Sequence, residues 1–448
     1  MPWNAIQVDS QILSVHAALV PNGPQGEAVL FGGDEHWSNQ QESAGNNSWK
    51  KTRVYDVATH GLVPGQVQSP DSDVFCAHHV FTGDGRLLIA GGTSEWPDSG
   101  DAHGHDLDFL GHSRCWVYNP RQRVWRETAR LGRNPAQPNE PRSGGRWYPG
   151  LVAMGDGSAV AFFGHLDKND FRHRNTRPER YFPGRQGWVN LPNEIAKVGQ
   201  PNSGGRRFLF FPRAYVLPSG RIFSATPLPA DFSTQPASDD GPHFSTAFDA
   251  STGQYVLPRA AAADGVDGGW SFPSVLLPLV PVNGLYNARV LYWVGATPKW
   301  IDTDATNPAW TPAGARAAGQ AGRQRINGNA VLLPTGQVCQ VGGVNVVSPE
   351  DPMRQAEIYT PDLNWTTGAY GNGSGSWTVD AANSASVRNY HSTALLLPNG
   401  KVWTAGGNIN AQSGDPNTVG VKLIELYEPA YIAVANRVQI QSSPALLA

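Results

Sequence analysis

The sequence predicts an all-β fold that is built by repeating one strand–turn–strand unit along the chain. A pattern of apolar strand, tight turn and second apolar strand, mostly closed by glycine, recurs from one end of the 448 residues to the other. Glycine and proline are abundant, at 50 and 36 residues, as a turn-rich β protein requires. Because 448 residues exceed one ordinary core, repetition is the simplest way to bury their apolar side chains.

The copies of the unit are easily aligned. Six copies have turns such as Pro-Asn-Gly or Asp-Gly and cover residues 17–33, 78–92, 150–164, 213–226, 330–343 and 393–407. A seventh copy, residues 270–295, has a longer turn. A third strand that ends in an aromatic residue follows most copies, as in RVYDVAT, CWVYNPR and LIELYEP. This pattern predicts a seven-bladed β-propeller of the kelch type.

We expect one propeller domain over residues 1–435. The N-terminal stretch IQVDSQILSVHAAL supplies a strand that completes the last blade and closes the ring. Residues 436–448 remain as a tail. Polar loops at 93–114 and 167–178 are expected to shape one face of the propeller.

Charge and cysteine content exclude several classes of function. A net charge of −3 gives no electrostatic reason to expect nucleic acid or an anionic membrane as partner, so a small or neutral substrate fits better. No apolar stretch is long enough for a transmembrane helix, and the first residues lack the pattern of a signal peptide. Cys76, Cys115 and Cys339 are widely spaced, which excludes a zinc ribbon and allows at most one disulfide.

Three segments carry more than the repeat. They are DVFCAHHVFTGDGRLLIAGG at 73–92, SGGRWYPGLVAMGDG at 143–157 and VRNYHSTALLLPNGKVWTAGGN at 387–408. Phe-Cys, Arg-Trp-Tyr-Pro and Asn-Tyr-His-Ser, in this order and in these blades, resemble the copper-radical oxidase family of galactose oxidase and glyoxal oxidase. The joint occurrence of the three motifs favours common ancestry.

The resemblance implies a role for each of four residues. Cys76 would be bonded through sulfur to the ring of Tyr148, and this Cys-Tyr thioether cofactor would make Tyr148 the radical-bearing copper ligand. Tyr390 would be the axial ligand and base, and His391 an equatorial copper ligand. Imidazole and phenolate are donors that Cu(II) favours, and a thioether makes a phenol easier to oxidise.

The resemblance also implies a reaction. The axial tyrosinate takes the proton of the alcohol, the cross-linked tyrosine radical abstracts hydrogen, and O2 leaves as hydrogen peroxide. We therefore predict an oxidase acting on a primary alcohol or aldehyde, with no separate organic cofactor. Such enzymes are mostly exported, so the expected location is extracellular or periplasmic.

The sequence departs from the family pattern in two places. Family members carry a further domain that supplies a second copper-binding histidine, and residues 422–448 resemble only the junction into it. The tail 436–448 is thus read as the truncated start of that domain. His165 lies nearest to where the family has an aromatic residue over the thioether, which leaves the substrate open.

Three explanations of the unmatched histidine stay open. The chain is a fragment whose missing domain or a partner chain completes the site, the site is rebuilt with another histidine, or the copper chemistry is lost. For rebuilding, His78 lies two residues from Cys76 on the same strand face and is a candidate copper ligand, whereas His79 points to the other face.

A second function is kept beside the oxidase. A non-catalytic kelch propeller would bind a protein or glycan through its loop-rich face and keep the old copper residues as packing. A second metal site at His103, His105, His112 and His173 is disfavoured, because their spacing fits no standard ligand set and predicts solvated loops.

Overall fold

The structure is a computed structural model that describes most of the chain. The described residues are 2–32, 51–65, 67–95, 110–132, 144–164, 175, 178–191, 212–225, 244–261, 272–293, 297–345, 348–371, 374–407 and 420–434. In these ranges the regular structure is β-strand apart from one short 3-10 helix, Ala430–Ala433. No described helix has the length and apolar character needed to cross a membrane. The prediction of an all-β fold is confirmed.

The strands are short, as expected for a twisted repeat fold. In chain order the first half comprises β1 (Trp3–Asp9), β2 (His16–Val20), β3 (Glu27–Phe31), β4 (Lys51–Asp56), β5 (Gly61–Leu62), β6 (Val67–Gln68), β7 (His78–Phe81), β8 (Leu87–Ala90), β9 (Thr93–Glu95), β10 (Leu110–Gly111), β11 (Cys115–Asn119), β12 (Val124–Glu127), β13 (Gly150–Ala153), β14 (Ala159–Phe162), β15 (Glu179–Phe182), β16 (Gly187–Asn190) and β17 (Ala214–Val216).

The second half continues the same alternation of strands and turns. It comprises β18 (Ile222–Ser224), β19 (Phe244–Asp249), β20 (Gln254–Ala261), β21 (Ser274–Leu276), β22 (Arg289–Tyr292), β23 (Lys299–Asp302), β24 (Thr311–Pro312), β25 (Arg325–Ile326), β26 (Asn329–Leu332), β27 (Val338–Val341), β28 (Val344–Asn345), β29 (Ser348–Pro352), β30 (Gln355–Thr360), β31 (Ser376–Asn383), β32 (Ser392–Leu396), β33 (Val402–Gly406) and β34 (Leu423–Tyr427).

Within the described ranges these strands form seven antiparallel sheets of four or five strands, which we number along the chain. They are sheet 1 (β2-β3-β4-β5, with β6 also paired to β4), sheet 2 (β7-β8-β11-β12), sheet 3 (β13 to β16), sheet 4 (β17 to β20), sheet 5 (β21 to β24), sheet 6 (β26-β27-β30-β31) and sheet 7 (β32-β33-β34-β1). Two smaller sheets, β9-β10 and β25-β28-β29, accompany them. Each hairpin copy identified in the sequence forms the first two strands of one sheet.

Sheet 7 combines the two ends of the described chain. Strand β1 pairs antiparallel with β34, with Trp3 opposite Tyr427 and Ile6 opposite Ile424. The backbone N–H of Glu428 donates to the carbonyl of Pro2, so the pairing extends past the last strand residue. The N-terminal segment therefore supplies the outer strand of the last sheet.

The tight turns have a common chemistry. In the turn after β7, Gly85 has φ +75° and its N–H donates to the carbonyl of Thr82 at 2.9 Å, while the Thr82 hydroxyl donates to Asp84 at 2.7 Å. Gly400, in the matching turn after β32, has φ +86°. Positive φ costs glycine little, so these turns fix the hairpin register at low strain.

The core lies between the sheets rather than at one centre. Seven buried apolar clusters of the described residues each contain residues of two neighbouring sheets. One member from each sheet illustrates every cluster: Val29 and Ile89 (sheets 1 and 2), Ala90 and Ala161 (2 and 3), Val160 and Ile222 (3 and 4), Phe223 and Val290 (4 and 5), Leu291 and Val338 (5 and 6), Val341 and Val402 (6 and 7), Trp403 and Leu30 (7 and 1). Each sheet is thus buried on both faces, and sheet 7 packs against sheet 1. This arrangement is consistent with a β-propeller.

Candidate active site

A cavity of about 300 Å³ lies where the innermost strands begin. All seven sheets contribute to its wall, each through a residue at or just before the start of its first strand: His16 (sheet 1), Cys76 (sheet 2), Tyr148 (sheet 3), Arg213 (sheet 4), Ser274 (sheet 5), Asn327 (sheet 6) and His391 (sheet 7). The cavity is therefore shared by all seven sheets. Burial lowers the pKa of Arg213 on this wall, although an arginine stays charged.

Two tyrosines and one histidine meet in this cavity. The hydroxyl oxygens of Tyr148 and Tyr390 are in direct contact, and the Tyr148 oxygen lies 3.2 Å from Nε2 of His391. Tyr148 and Tyr390 come from sheets 3 and 7 and are separated by 242 positions along the chain. The structure thus brings together three of the side chains that the sequence motifs singled out.

Cys76 lies beside Tyr148. Its carbonyl accepts a hydrogen bond of 2.8 Å from the Tyr148 N–H, and both side chains belong to one buried cluster with Phe75 and Trp147. Cys76 and Tyr148 are only 3% and 6% exposed. None of the three cysteines forms a disulfide. The thioether between Cys76 and Tyr148 stays a prediction.

Strained backbone marks the same residues. Cys76, Tyr148 and His391 have φ of 59°, 53° and 61°, and Asn327 on the cavity wall has φ of 56°. A non-glycine residue in this left-handed region costs about 1–3 kcal/mol, and such residues cluster at functional sites. The bend at each position precedes the innermost strand of its sheet, and all four residues line the cavity.

Buried ion pairs hold the bends in place. Arg146, two residues before Tyr148, donates to Glu179 at 2.6 Å, and Arg388, two residues before Tyr390, donates to Glu425 at 2.9 Å. All four side chains are at most 4% exposed. Each arginine also donates to backbone carbonyls, for example Arg388 to that of Gly406 at 2.8 Å. The third strand of each sheet thereby anchors the segment that carries a site residue.

His78 makes contacts that favour a structural role over copper binding. The backbone N–H of Leu151 in sheet 3 donates to its Nδ1 at 2.7 Å. A neutral imidazole that accepts at Nδ1 carries its proton on Nε2, so neither nitrogen has a lone pair left for a metal. Burial, together with His79 and Arg213, lowers the pKa of His78 to about 3, which keeps the ring neutral.

His16 is a site residue that the sequence reasoning missed. It lines the cavity with the two tyrosines and His391 and is 8% exposed. Alignment of the hairpins would have found it, since His16 begins β2 as His78 begins β7 and Ser392 begins β32. His16 lies outside the three motif segments, so the motifs themselves do not point to it.

Of the other histidines singled out in the sequence, one differs from its prediction and the rest lie outside the described residues. His112 is buried, and its Nε2 donates to the carbonyl of Asp73 at 2.9 Å, so the prediction of a solvated loop is wrong for this residue. This contact joins His112 to the segment that precedes Cys76, which explains the burial of its side chain. His103, His105, His165 and His173 lie outside the described residues, as does the tail 436–448.

The type and spacing of the donor atoms in the cavity decide whether copper fits this site. Among the described residues no three His, Cys, Asp or Glu side chains are close enough to hold a metal, so a site here depends on the phenol oxygens. Oxygen and nitrogen atoms about 3 Å apart suit neighbouring ligands of one metal with bonds of about 2 Å. Phenolate and imidazole are also the donors that Cu(II) favours. Tyr148, Tyr390 and His391 therefore fit copper.

Comparisons with known proteins agree with this site. Galactose oxidase of Gibberella zeae is 24% identical over 450 residues, which cover 96% of this chain and 55% of the relative. Aldehyde oxidase GLOX of Vitis pseudoreticulata is 23% identical over 444 residues, covering 91% of this chain and 71% of the relative. The chain thus spans about half the length of the galactose oxidase that it matches. No family model matches the sequence.

A solved structure supports the fold. A fungal alcohol oxidase of the AA5 family, solved in complex with copper, superposes with a TM-score of 0.61 at 18% identity and covers 96% of this chain and 76% of that one. At this identity the match supports the fold alone. Together with the two relatives, it confirms the resemblance predicted from the motifs: the chain is a homologue, over most of its length, of galactose oxidase and aldehyde oxidase GLOX.

Proposed function

We propose that the chain is a copper-radical oxidase that converts a primary alcohol or an aldehyde with O2. For an alcohol the balance is RCH2OH plus O2 to RCHO plus hydrogen peroxide, in which the substrate loses two electrons and two protons. The observation that carries the proposal is the meeting of the Tyr148 and Tyr390 oxygens with Nε2 of His391 in one cavity. The names of the relatives agree with an oxidase.

Each residue has a distinct task in this proposal. Tyr148, Tyr390 and His391 would hold the copper, which supplies a one-electron redox couple. Tyr390, whose oxygen contacts that of Tyr148, accepts the substrate proton. Tyr148, bonded through its ring to Cys76, supplies the second one-electron couple and takes the hydrogen atom. Cross-link formation removes two hydrogen atoms in all, one from the thiol and one from the ring, and O2 accepts them.

The cavity suits a small substrate. About 300 Å³ lies at the lower end of the range for small-molecule sites. Its wall combines the charged Arg213 with polar groups of Ser274 and Asn327, which could orient the oxygen of a substrate. We infer from this a small alcohol or aldehyde rather than a macromolecular partner, and we place the enzyme outside the cytoplasm on the strength of the family resemblance.

We further infer that the seven sheets are the blades of one closed propeller. The interface between sheets 7 and 1 and the pairing of β1 with β34 support this inference, because they join the last blade to the first. Closure matters for the site, since Tyr148 of sheet 3 and His391 of sheet 7 face each other only across a ring.

Intact mass after copper loading tests the proposal. The chain is loaded with Cu(II) in air, and the mass is expected to fall by two hydrogens in the parent but not in Cys76→Ser. Cys115→Ser is the matched control, because Cys115 is buried in β11 away from the cavity and should leave the mass loss intact. Peptide mapping should detect one cross-linked species that contains the peptides of both Cys76 and Tyr148.

Peroxide release completes the test. With a panel of primary alcohols and aldehydes we expect peroxide from the parent and a loss of at least about 100-fold in Tyr390→Phe, which lacks the general base but keeps the cross-link. Copper bound without mass loss or peroxide would overturn the oxidase and favour the non-catalytic propeller that binds a protein or glycan.

A further inference from the structure

His16 occupies the cavity from a sheet that carries none of the family motifs. It is the first residue of β2 in sheet 1, and β2 packs beside β32 of sheet 7, which begins directly after His391. His16, His391 and both tyrosines line the same cavity. His16 therefore lines the same cavity as the candidate copper ligands.

The imidazole of His16 is held on several sides. It stacks on Phe31, with ring centroids 5.3 Å apart and planes inclined by 17°. A Cβ atom on Gly32 would lie 2.3 Å from the ring, so only glycine at this position leaves room for it. The ring orientation is thus set by the protein before any ligand binds.

One ring nitrogen of His16 is buried. Nε2 of His16 has no hydrogen-bond partner among the described residues. Burying a polar atom without a hydrogen bond costs about 1–3 kcal/mol, so this nitrogen calls for a ligand.

The protonation state agrees with such a role. Burial and the neighbouring His79, His78 and His391 hold the pKa of His16 well below its ordinary value. The ring is therefore neutral at pH 7 and keeps a lone pair.

The other histidines of the cavity fit less well. The Nδ1 atom of His78 accepts the hydrogen bond from Leu151. His79 also has a buried ring nitrogen, Nδ1, without a hydrogen-bond partner in the described ranges, but it lies one residue further along β7 and packs edge-on against Phe31 and His16. His79 is accordingly the competitor that an experiment must separate from His16.

We infer that His16 supplies a second imidazole to the copper site of Tyr148, Tyr390 and His391, an inference that rests on the proposed function. The donors would then be two phenol oxygens and two imidazole nitrogens, a set that Cu(II) favours. All four side chains come from the starts of innermost strands in sheets 1, 3 and 7.

Pulsed electron paramagnetic resonance on Cu(II) tests the inference. The chain is loaded without O2, so that Tyr148 is not oxidised, and the imidazoles bound to copper are counted from the coupling of their remote nitrogens. We expect two in the parent, one in His16→Gln and two in His79→Gln. The copper affinity of His16→Gln should fall about tenfold or more.

The outcomes separate the two proposals. One imidazole in the parent, or an unchanged count in His16→Gln, overturns the role of His16 while the oxidase survives. If the number of bound imidazoles falls only in His79→Gln, the second ligand is His79 and the role of His16 is also overturned. If the His391→Gln and Tyr148→Phe variants still bind copper as the parent does, the proposed function is overturned instead.

Loss of folding in His16→Gln would not leave the inference untested. A count of one in the unmodified chain overturns the inference without any variant, and a count of two that stays two in His79→Gln supports His16 as the second imidazole. As a further check, imidazole added to His16→Gly should restore the second remote nitrogen if the vacated space adjoins the copper. If His16→Gly folds and binds copper but added imidazole does not restore the second remote nitrogen, the inference is contradicted.

Discussion

Burial and backbone strain are concentrated in a few residues that line the cavity. The left-handed φ of Cys76, Tyr148 and His391 is sustained because buried neighbours such as Phe75 and Trp147 pack around them. The ring centroids of Phe75 and His391 lie 4.8 Å apart, and those of Trp147 and Tyr148 lie 4.2 Å apart. This packing preorganises the donor atoms, so binding a ligand need not rearrange the backbone.

Buried neutral histidine makes the stability pH-dependent, and His112 offers a test away from the cavity. Burial lowers its pKa from 6.5 to about 4, with Arg114 and Arg130 contributing. Between these values the unfolded chain binds a proton that the folded chain does not, so stability is lost as the pH falls. His112 contributes up to about 1.4 kcal/mol per pH unit to this slope.

The variant His112→Gln should remove that contribution. The free energy of unfolding, measured from pH 7 to 4.5, should fall less steeply with pH in the variant. The difference in slope should correspond to the uptake of about one proton fewer on unfolding, whatever the stability of the variant at pH 7. The other histidines titrate in both proteins, so the difference isolates His112. Parallel curves would show that His112 is not kept neutral by the fold.

Buried arginine–glutamate pairs are a feature of whole strands and recur in three sheets. Glu179 begins β15, Glu357 lies in β30 and Glu425 lies in β34, and each accepts a hydrogen bond from a buried arginine. Each glutamate stands two residues before a tyrosine in its strand. The outer part of a sheet thereby fixes the segment before the innermost strand, which in sheets 3 and 7 carries the donor residues.

Glu425→Gln tests this element. The change leaves Arg388 charged and buried, and removing one partner of a buried pair costs about 3–5 kcal/mol. Glu428→Gln is the matched control in the next residues of the chain, because Glu428 and Lys401 form a partly exposed pair that is worth at most about 1 kcal/mol. Urea unfolding should rank the two variants in this order, and equal losses would contradict the anchoring role.

At the scale of the whole molecule, the site depends on sheets far apart in sequence. Each sheet shares one core with the sheet before it and another with the sheet after it. Tyr148 and Tyr390 meet although 242 positions separate them. Copper bound by both would act as a cross-link between sheets 3 and 7, which couples metal binding to global stability.

Cu(II) should therefore stabilise the chain against unfolding. At a concentration of 100 times Kd, binding to the folded state alone contributes about 2.7 kcal/mol, seen as a higher Tm that a chelator reverses. His391→Gln should lose most of the shift, and His112→Gln should keep it, since His112 lies outside the cavity. A shift that survives in His391→Gln would place the copper elsewhere.

The sequence by itself determined the all-β class, the hairpins and the four motif residues. Turn chemistry and alternating strands are local, so they can be read from neighbouring residues, and the resemblance of three motifs added Cys76, Tyr148, Tyr390 and His391. Only the tertiary structure decided which other side chains join them. His16 enters the cavity because sheet 1 packs against sheet 7, whereas His78 turns to the backbone of sheet 3 and His112 is buried. These outcomes depend on contacts between sheets, and a strand pattern carries no information about which face meets which neighbour.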